Sequence, residues 1–149
     1  VRFQKERQMV DQAEIRNARS RNSDTSAGME QGLRVRRQVM GDSFVDKALG
    51  KAVDTPSWPL QEHVTEHIWG AVWTRDGLDR RSRSIATLSI LVSLRAHEEL
   101  GGHVRAALTN GLSQEEVVEL IIHAGAYCGA PAALSAMRVV EASLNSVSD

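Results

Sequence analysis

From about residue 30 to the end, the apolar positions of this chain fall at helical spacing. Leu33, Val35, Val39 and Met40 make a first stripe, which breaks at Gly41-Asp42. Asp42 is placed to cap a second helix through Phe44, Val45, Ala48 and Leu49. Ala52 to Trp58, with Asp54, Pro56 and Ser57, reads as a loop. Pro59 suits the first turn of the next helix, whose stripe is Leu60, Val64, Ile68, Ala71 and Val72. No segment alternates apolar and polar residues with period two, so the predicted fold class is all-α.

The second half turns on one helix, predicted from Arg83 to Leu94 and capped by Asp79. Between Ile85 and Leu94 it is apolar on almost every face apart from Thr87, Ser89 and Ser93. Such a helix is buried on several sides. In so small a chain that predicts cover from its own subunit and from a neighbouring copy, hence a homo-oligomer. Val104 to Leu108 continues beyond a diglycine and stops at Asn110-Gly111. Ser113 and Glu116 form a capping box that opens a further helix through Val117, Leu120, Ile121 and Ala124. Tyr127 to Ala130 turns the chain, and Pro131 opens a last helix through Leu134, Met137, Val140 and Leu144.

At 149 residues this is a single domain with room for a real core. Residues 1 to 28 are polar and sparsely apolar and read as a disordered tail, with at most a frayed stripe of Val10, Ile15 and Ala18. The folded domain is expected over residues 29–149, with Met29 as a natural translation start. The net charge of -1, from 18 basic and 19 acidic residues, gives no electrostatic case for nucleic acid or an anionic membrane. No segment reads as a signal peptide or a membrane span. A single cysteine excludes an internal disulfide and fits a reducing cytoplasm.

Candidate chemistry concentrates in a few places. His63-Val64-Thr65-Glu66-His67 matches the H-x-x-E-H pattern of inverted zinc proteases, with the two histidines four apart on one face. That motif needs a further carboxylate and a peptide cleft, so the expectation is a solvated face and no metal. Arg80, Arg81 and Arg83 crowd a helix start, where the macrodipole disfavours cations. They either meet anions there or pair with carboxylates of a neighbouring subunit. Trp69 and Trp73 serve as core anchors or as ligand walls. Glu99 and His103 are four apart and share a face, so the carboxylate would orient the imidazole and raise its pKa. His103 then acts either in catalysis or as a structural hydrogen-bonding group between helices. Gly101 and Gly102, between them, admit a close neighbour.

The segments LDRRSRS, Glu99-Leu100-Gly101-Gly102-His103, AALTNGLS and AYCGAPAA occur in an order that resembles the 4-carboxymuconolactone decarboxylase family. The resemblance runs from about Met29 to Leu144 and also takes in WGAVWTRDGLDRRSRS and RRQVMGDSFVDKAL. It implies a single helical domain of the alkylhydroperoxidase-D-like type, assembled as a trimer or hexamer. The related peroxidases carry a Cys-x-x-Cys pair where this chain has Ala96 and Glu99, so dithiol chemistry is excluded. Cys128 lies elsewhere and is expected to pack as a small apolar residue.

The activity the resemblance implies is loss of CO2 from 4-carboxymuconolactone to give β-ketoadipate enol-lactone, in protocatechuate breakdown, without metal or organic cofactor. Such a site needs a proton donor, an oxyanion stabiliser, a cation for the acetate arm and an apolar surround for the departing carboxylate. The candidates are His103 as donor with Glu99 orienting it, Arg83 or Arg80 for the acetate arm, and Trp73 and Tyr127 as walls. Tyr127 is also a possible oxyanion donor, and His97 a second candidate acid. A family enzyme for another small lactone or keto acid, and a non-catalytic helical oligomer that binds a small acid or a protein, are the alternatives.

Overall fold

A computed structural model describes residues 26–146, which form seven α-helices and one π-helical segment, with no strand among them. In chain order these are α1 (Ala27–Met40), α2 (Asp42–Ala52) and α3 (Trp58–His63), which runs on as the π-helical segment Val64–Trp69. Then come α4 (Arg80–Leu94), α5 (His97–Thr109), α6 (Gln114–Cys128) and α7 (Ala130–Asn145). No helix among the described residues is long and apolar enough to cross a membrane. The stripe of Val10, Ile15 and Ala18 lies outside the described residues.

Local chemistry explains most boundaries. The Asp79 carboxylate accepts from the Ser82 amide and starts α4. Ser113 and Glu116 form the reciprocal capping box on α6. Gly111, at φ 95°, follows the end of α5 in a conformation that L side chains resist. Two starts differ from expectation. Helix α1 begins at Ala27, inside the stretch read as tail, because the Ser26 hydroxyl accepts from the Met29 amide and donates to Glu66 Oε1 at 2.6 Å. Gly41, not Asp42, is the N-cap of α2; Asp42 is its first residue and pairs with Arg37 at 3.2 Å.

Helices α4 to α7 enclose the main core: Leu88 and Val92 from α4, Leu100, Val104 and Ala107 from α5, Val117, Leu120, Ile121 and Ala124 from α6, and Ala136 and Val140 from α7. A second, smaller cluster joins Val35 and Val39 of α1 to Trp69 and to Ala106 of α5, with Met40, Val64 and Trp73 against it. Helix α5 therefore has a core on each side.

The structure departs from one predicted face. Of the stripe Leu60, Val64, Ile68, Ala71 and Val72, Val64 is half-buried against the smaller cluster and the other four are exposed, while Thr65 and Trp69 are buried. A π-helical turn holds more residues than an α turn, so winding Val64–Trp69 that way rotates the inward face. The central helix ends at Leu94 as predicted and begins at Arg80, before the predicted start at Arg83. Arg95 takes a left-handed conformation (φ 56°), so Glu99 and His103 stand on a new helix. Helix α4 buries Ser84, Leu88 and Val92 and leaves Ile90 and Leu94 exposed at 55% and 71%.

Candidate active site

Of the candidate residues, Trp73 and His103 both neighbour Trp69, the last residue of the π-helical segment. Trp69 and Trp73 stack with ring centroids 4.9 Å apart. The His103 imidazole lies nearly parallel to Trp69, at 6.2 Å and 3°. Trp73, Trp69 and His103 thus form an aromatic column, and the expected wall and the expected proton donor belong to one structure. Trp69 is a core anchor, buried, with its ring parallel to the imidazole.

The close approach at this place comes from glycine. A Cβ on Gly102 would sit 2.9 Å from the Phe44 ring and 3.2 Å from the Met40 methyl. Gly101 faces the other way, toward Ser143 and Val139. The diglycine between Glu99 and His103 therefore lets α1 and α2 close on one side of α5 and α7 on the other.

Glu99 and His103 both stand on α5, but the electrostatics differ from expectation. Burial lowers the His103 pKa below the ordinary histidine value, and the Glu99 charge only partly offsets it. The carboxylate does push upward as its spacing suggests. It is exposed, however, so desolvation of the half-buried ring is the larger effect. His103 is accordingly held toward its neutral form.

The arginines divide. Arg83 is half-buried, and its Nη2 donates to the Arg75 carbonyl at 2.8 Å, in the loop just after Trp73. Its Nε is sealed from solvent without a hydrogen-bond partner among the described residues. Arg80 is exposed and donates to Gln38 Oε1 on α1 at 2.5 Å. Arg81 pairs with Glu116 of its own chain, so that cation needs no carboxylate from a neighbour.

Tyr127 is not brought to this column. It is 82% exposed and leans on His123, four residues back on the outward face of α6, at 5.1 Å. Both line a separate open cleft of about 450 Å³ with Ser89, Ser93 and Cys128. Cys128 is half-buried against the main core, its Sγ donating to the Ala124 carbonyl at 3.0 Å. His97 opens α5 and lines another cleft, of about 600 Å³, with Arg105 and Arg138. His63 and His67 are exposed with ring centroids 4.6 Å apart. No group of three or more His, Cys, Asp or Glu gathers around a possible metal position among the described residues.

One residue of this region escaped the sequence reading. Arg36 is buried, with Nη1 donating to Thr65 Oγ1 at 2.9 Å. Its signal was available. Gly32, Val35, Arg36 and Val39 follow the spacing of an inward helical stripe, and all four are buried.

This arrangement can now be set beside known proteins. The model of the carboxymuconolactone decarboxylase family matches residues 59–142. The chain belongs to that family. It is 42% identical over 121 residues to a nitrosuccinic acid decarboxylase of Metarhizium robertsii, covering 80% of this chain and 83% of that one. It is 38% identical over 112 residues to the 4-carboxymuconolactone decarboxylase of Acinetobacter baylyi, covering 75% and 83%. The matched segment of the family contains Trp69, Trp73, Arg83, Glu99 and His103, whereas Arg36 precedes it.

Proposed function

We propose that this protein is a decarboxylase of small dianionic acids, with 4-carboxymuconolactone as its first candidate substrate. The Trp73–Trp69–His103 column is the observation that carries the reading. It offers a flat apolar wall with a single proton-carrying group, which is what decarboxylation onto a conjugated acceptor requires.

In 4-carboxymuconolactone the carbon that loses CO2 also bears an acetate arm and is conjugated, through a double bond, to the lactone carbonyl. The C–C bond to the leaving carboxylate breaks, and its electron pair flows into that carbonyl to give a dienolate. A proton from His103 then reaches the α carbon. Apolar surroundings favour departure of a carboxylate as neutral CO2. Arg83, held to the loop after Trp73, is suited to stabilise the charge that develops on the acceptor oxygen. Because burial keeps His103 toward neutrality in the free protein, it must gain its proton when the anionic substrate binds. The substrate's own conjugation takes up the electrons, so the step needs no metal or organic cofactor.

Nitrosuccinate is the second candidate, favoured by the relative that decarboxylates it. It has the same pattern: one carbon bearing a carboxylate, an acetate arm and an electron acceptor, here a nitro group. The electron pair would pass to the nitro oxygens as a nitronate. The two substrates separate in one assay pair, loss of lactone ultraviolet absorbance against CO2 release from nitrosuccinate. Turnover of neither would overturn the decarboxylase reading and leave the non-catalytic acid binder.

We further propose a homo-oligomer in which a second copy covers Ile90 and Leu94, with a trimer or hexamer as the expected size. A stable monomer at micromolar concentration in light scattering would overturn this.

A further inference from the structure

We propose that Arg36 is the carboxylate anchor of the site, its buried guanidinium receiving the acetate arm of a small dianionic acid. The name of the arm rests on the decarboxylase reading; the anion site itself rests on geometry.

Arg36 is only 6% exposed, yet it has no carboxylate partner among the described residues. One hydrogen bond holds it, from Nη1 to the Thr65 hydroxyl, and its Nε is sealed without a partner. A guanidinium carries five N–H donors in a planar fork, so most of this fork has no hydrogen-bond partner among the described residues. Burial lowers its pKa with no acid to counter the effect. Arg37, next in the chain, is the control. It lies nearer the surface and is paired with both Asp42 and Asp46.

Filling that space does not require a charge, because methionine or leucine would pack as well. A buried cation without a counter-ion destabilises a fold strongly, and removing such a charge is often stabilising. A chain that retains one has an anion to receive. The surroundings say where. Thr65 lies one turn before Trp69 on the π-helical segment, and Trp69 carries His103. Val35 and Val39, flanking Arg36 on α1, pack in the cluster that contains Trp69. Helix α1 is also pressed onto this segment: a Cβ on Gly32, one turn before Arg36, would lie 2.0 Å from the Thr65 carbonyl oxygen. Backbone contact therefore fixes α1, and with it the Arg36–Thr65 hydrogen bond, on the segment that bears Trp69. A planar fork in apolar surroundings suits a carboxylate bound through both oxygens.

The test uses the full chain with succinate as probe, since succinate has an acetate arm and no reactive acceptor. Saturable binding by calorimetry and a rise in Tm are expected for the unchanged protein, with no response to neutral succinamide. Arg36→Met should be at least as stable as the parent without ligand, should weaken succinate binding more than tenfold, and should lose the Tm response. Arg36→Lys keeps the charge and loses the fork; it should keep its Tm and bind succinate several-fold more weakly. No succinate binding by the parent, unchanged binding in either variant, or a large fall in Tm for both would overturn the anchor. Turnover separates this from the decarboxylase reading. Succinate held through Arg36 without turnover of either candidate substrate keeps the anchor and removes that reading. Turnover with unchanged KM in Arg36→Lys and Arg36→Met keeps the reading and removes the anchor.

Discussion

The core enclosed by α4 to α7 and the layer made by α1 and the π-helical segment meet along α5, which contributes side chains to both. Toward the main core it sends Leu100, Val104 and Ala107, all fully buried among aliphatic side chains. The buried serines of that half are satisfied: Asn110 donates to Ser84 Oγ at 2.9 Å, and the Ser143 hydroxyl donates to the Val139 carbonyl at 2.8 Å. Toward the other side α5 presents Ala106 and His103, which meet two stacked tryptophans. Close by, α1 adds an arginine with a bare Nε. One side gains by removing apolar area from water. The other keeps groups that cost stability and hold chemistry in reserve. Substitutions on the two sides should therefore fail in different ways: the first loses the fold, the second loses function from an intact fold.

The largest effect should come from the main core. Leu88 is fully buried between helices, so Leu88→Ala should cost about 2–5 kcal/mol, the transfer term plus the cavity. Denaturant melts would measure it. Activity per folded molecule should change little, and a selective loss of kcat would mean that the two sides are coupled.

His103→Gln should act in the opposite sense. A general acid is worth about 10² or more in rate, close to 2.7 kcal/mol of transition-state stabilisation. Steady-state kinetics should show kcat falling by that factor with KM nearly unchanged, while Tm holds. A folded variant with normal kcat would move the proton donor elsewhere, with His97 the next residue to replace.

Gly32→Ala probes the seam itself. The added methyl must push α1 off the Thr65 backbone, an overpacking expected to cost about 1–3 kcal/mol. Since the displaced helix carries Arg36, KM should rise more than kcat falls. A kcat loss alone would say that α1 serves the chemistry through His103 and not through binding.

How legible these two sides were follows from how local their causes are. Caps and breaks such as Asp79, the Ser113–Glu116 box and Gly111 involve residues within a turn of one another, and sequence alone placed them. The apolar runs of α4 and α6 likewise announced the main core. The π-helical winding at Val64–Trp69 gave no comparable sign, because its cause lies in what packs on it: Gly32 on α1, and the Gly28 carbonyl 2.4 Å from a Cβ built on Gly70. Missing it misassigned the inward face from Thr65 and Trp69 to Ile68 and Val72. Arg36 was hidden for a related reason. It stands in a run with Arg34 and Arg37 that reads as a solvated face until the stripe through Gly32, Val35 and Val39 is seen to include it. The pairing of Glu99 with His103 was visible, but the sign of the net pKa shift was not. That sign depends on how deeply the folded chain buries the ring.

The smallest effect, and the finest probe of the second side, is Glu99→Gln. Burial lowers the His103 pKa and Glu99 raises it, so removing the charge should lower it further. If turnover needs protonated His103, the rate falls as pH rises through this group's pKa in the substrate complex. The alkaline fall in kcat should therefore move to lower pH in Glu99→Gln, with a modest loss at neutral pH. Stability follows the same linkage with its own sign. A histidine whose folded pKa lies below the unfolded value, about 6.5, supports the fold fully above that pH. The support is lost as pH falls from there toward the folded value. Acid melts of the parent should thus show stability falling below about pH 6.5 more steeply than in His103→Gln, which has no proton to take up. An unmoved rate profile in Glu99→Gln would mean that the carboxylate does not act through the imidazole. The bound substrate's own negative charge would then favour protonation of His103 from solvent, and the profile should instead shift with the number of carboxylates the substrate carries.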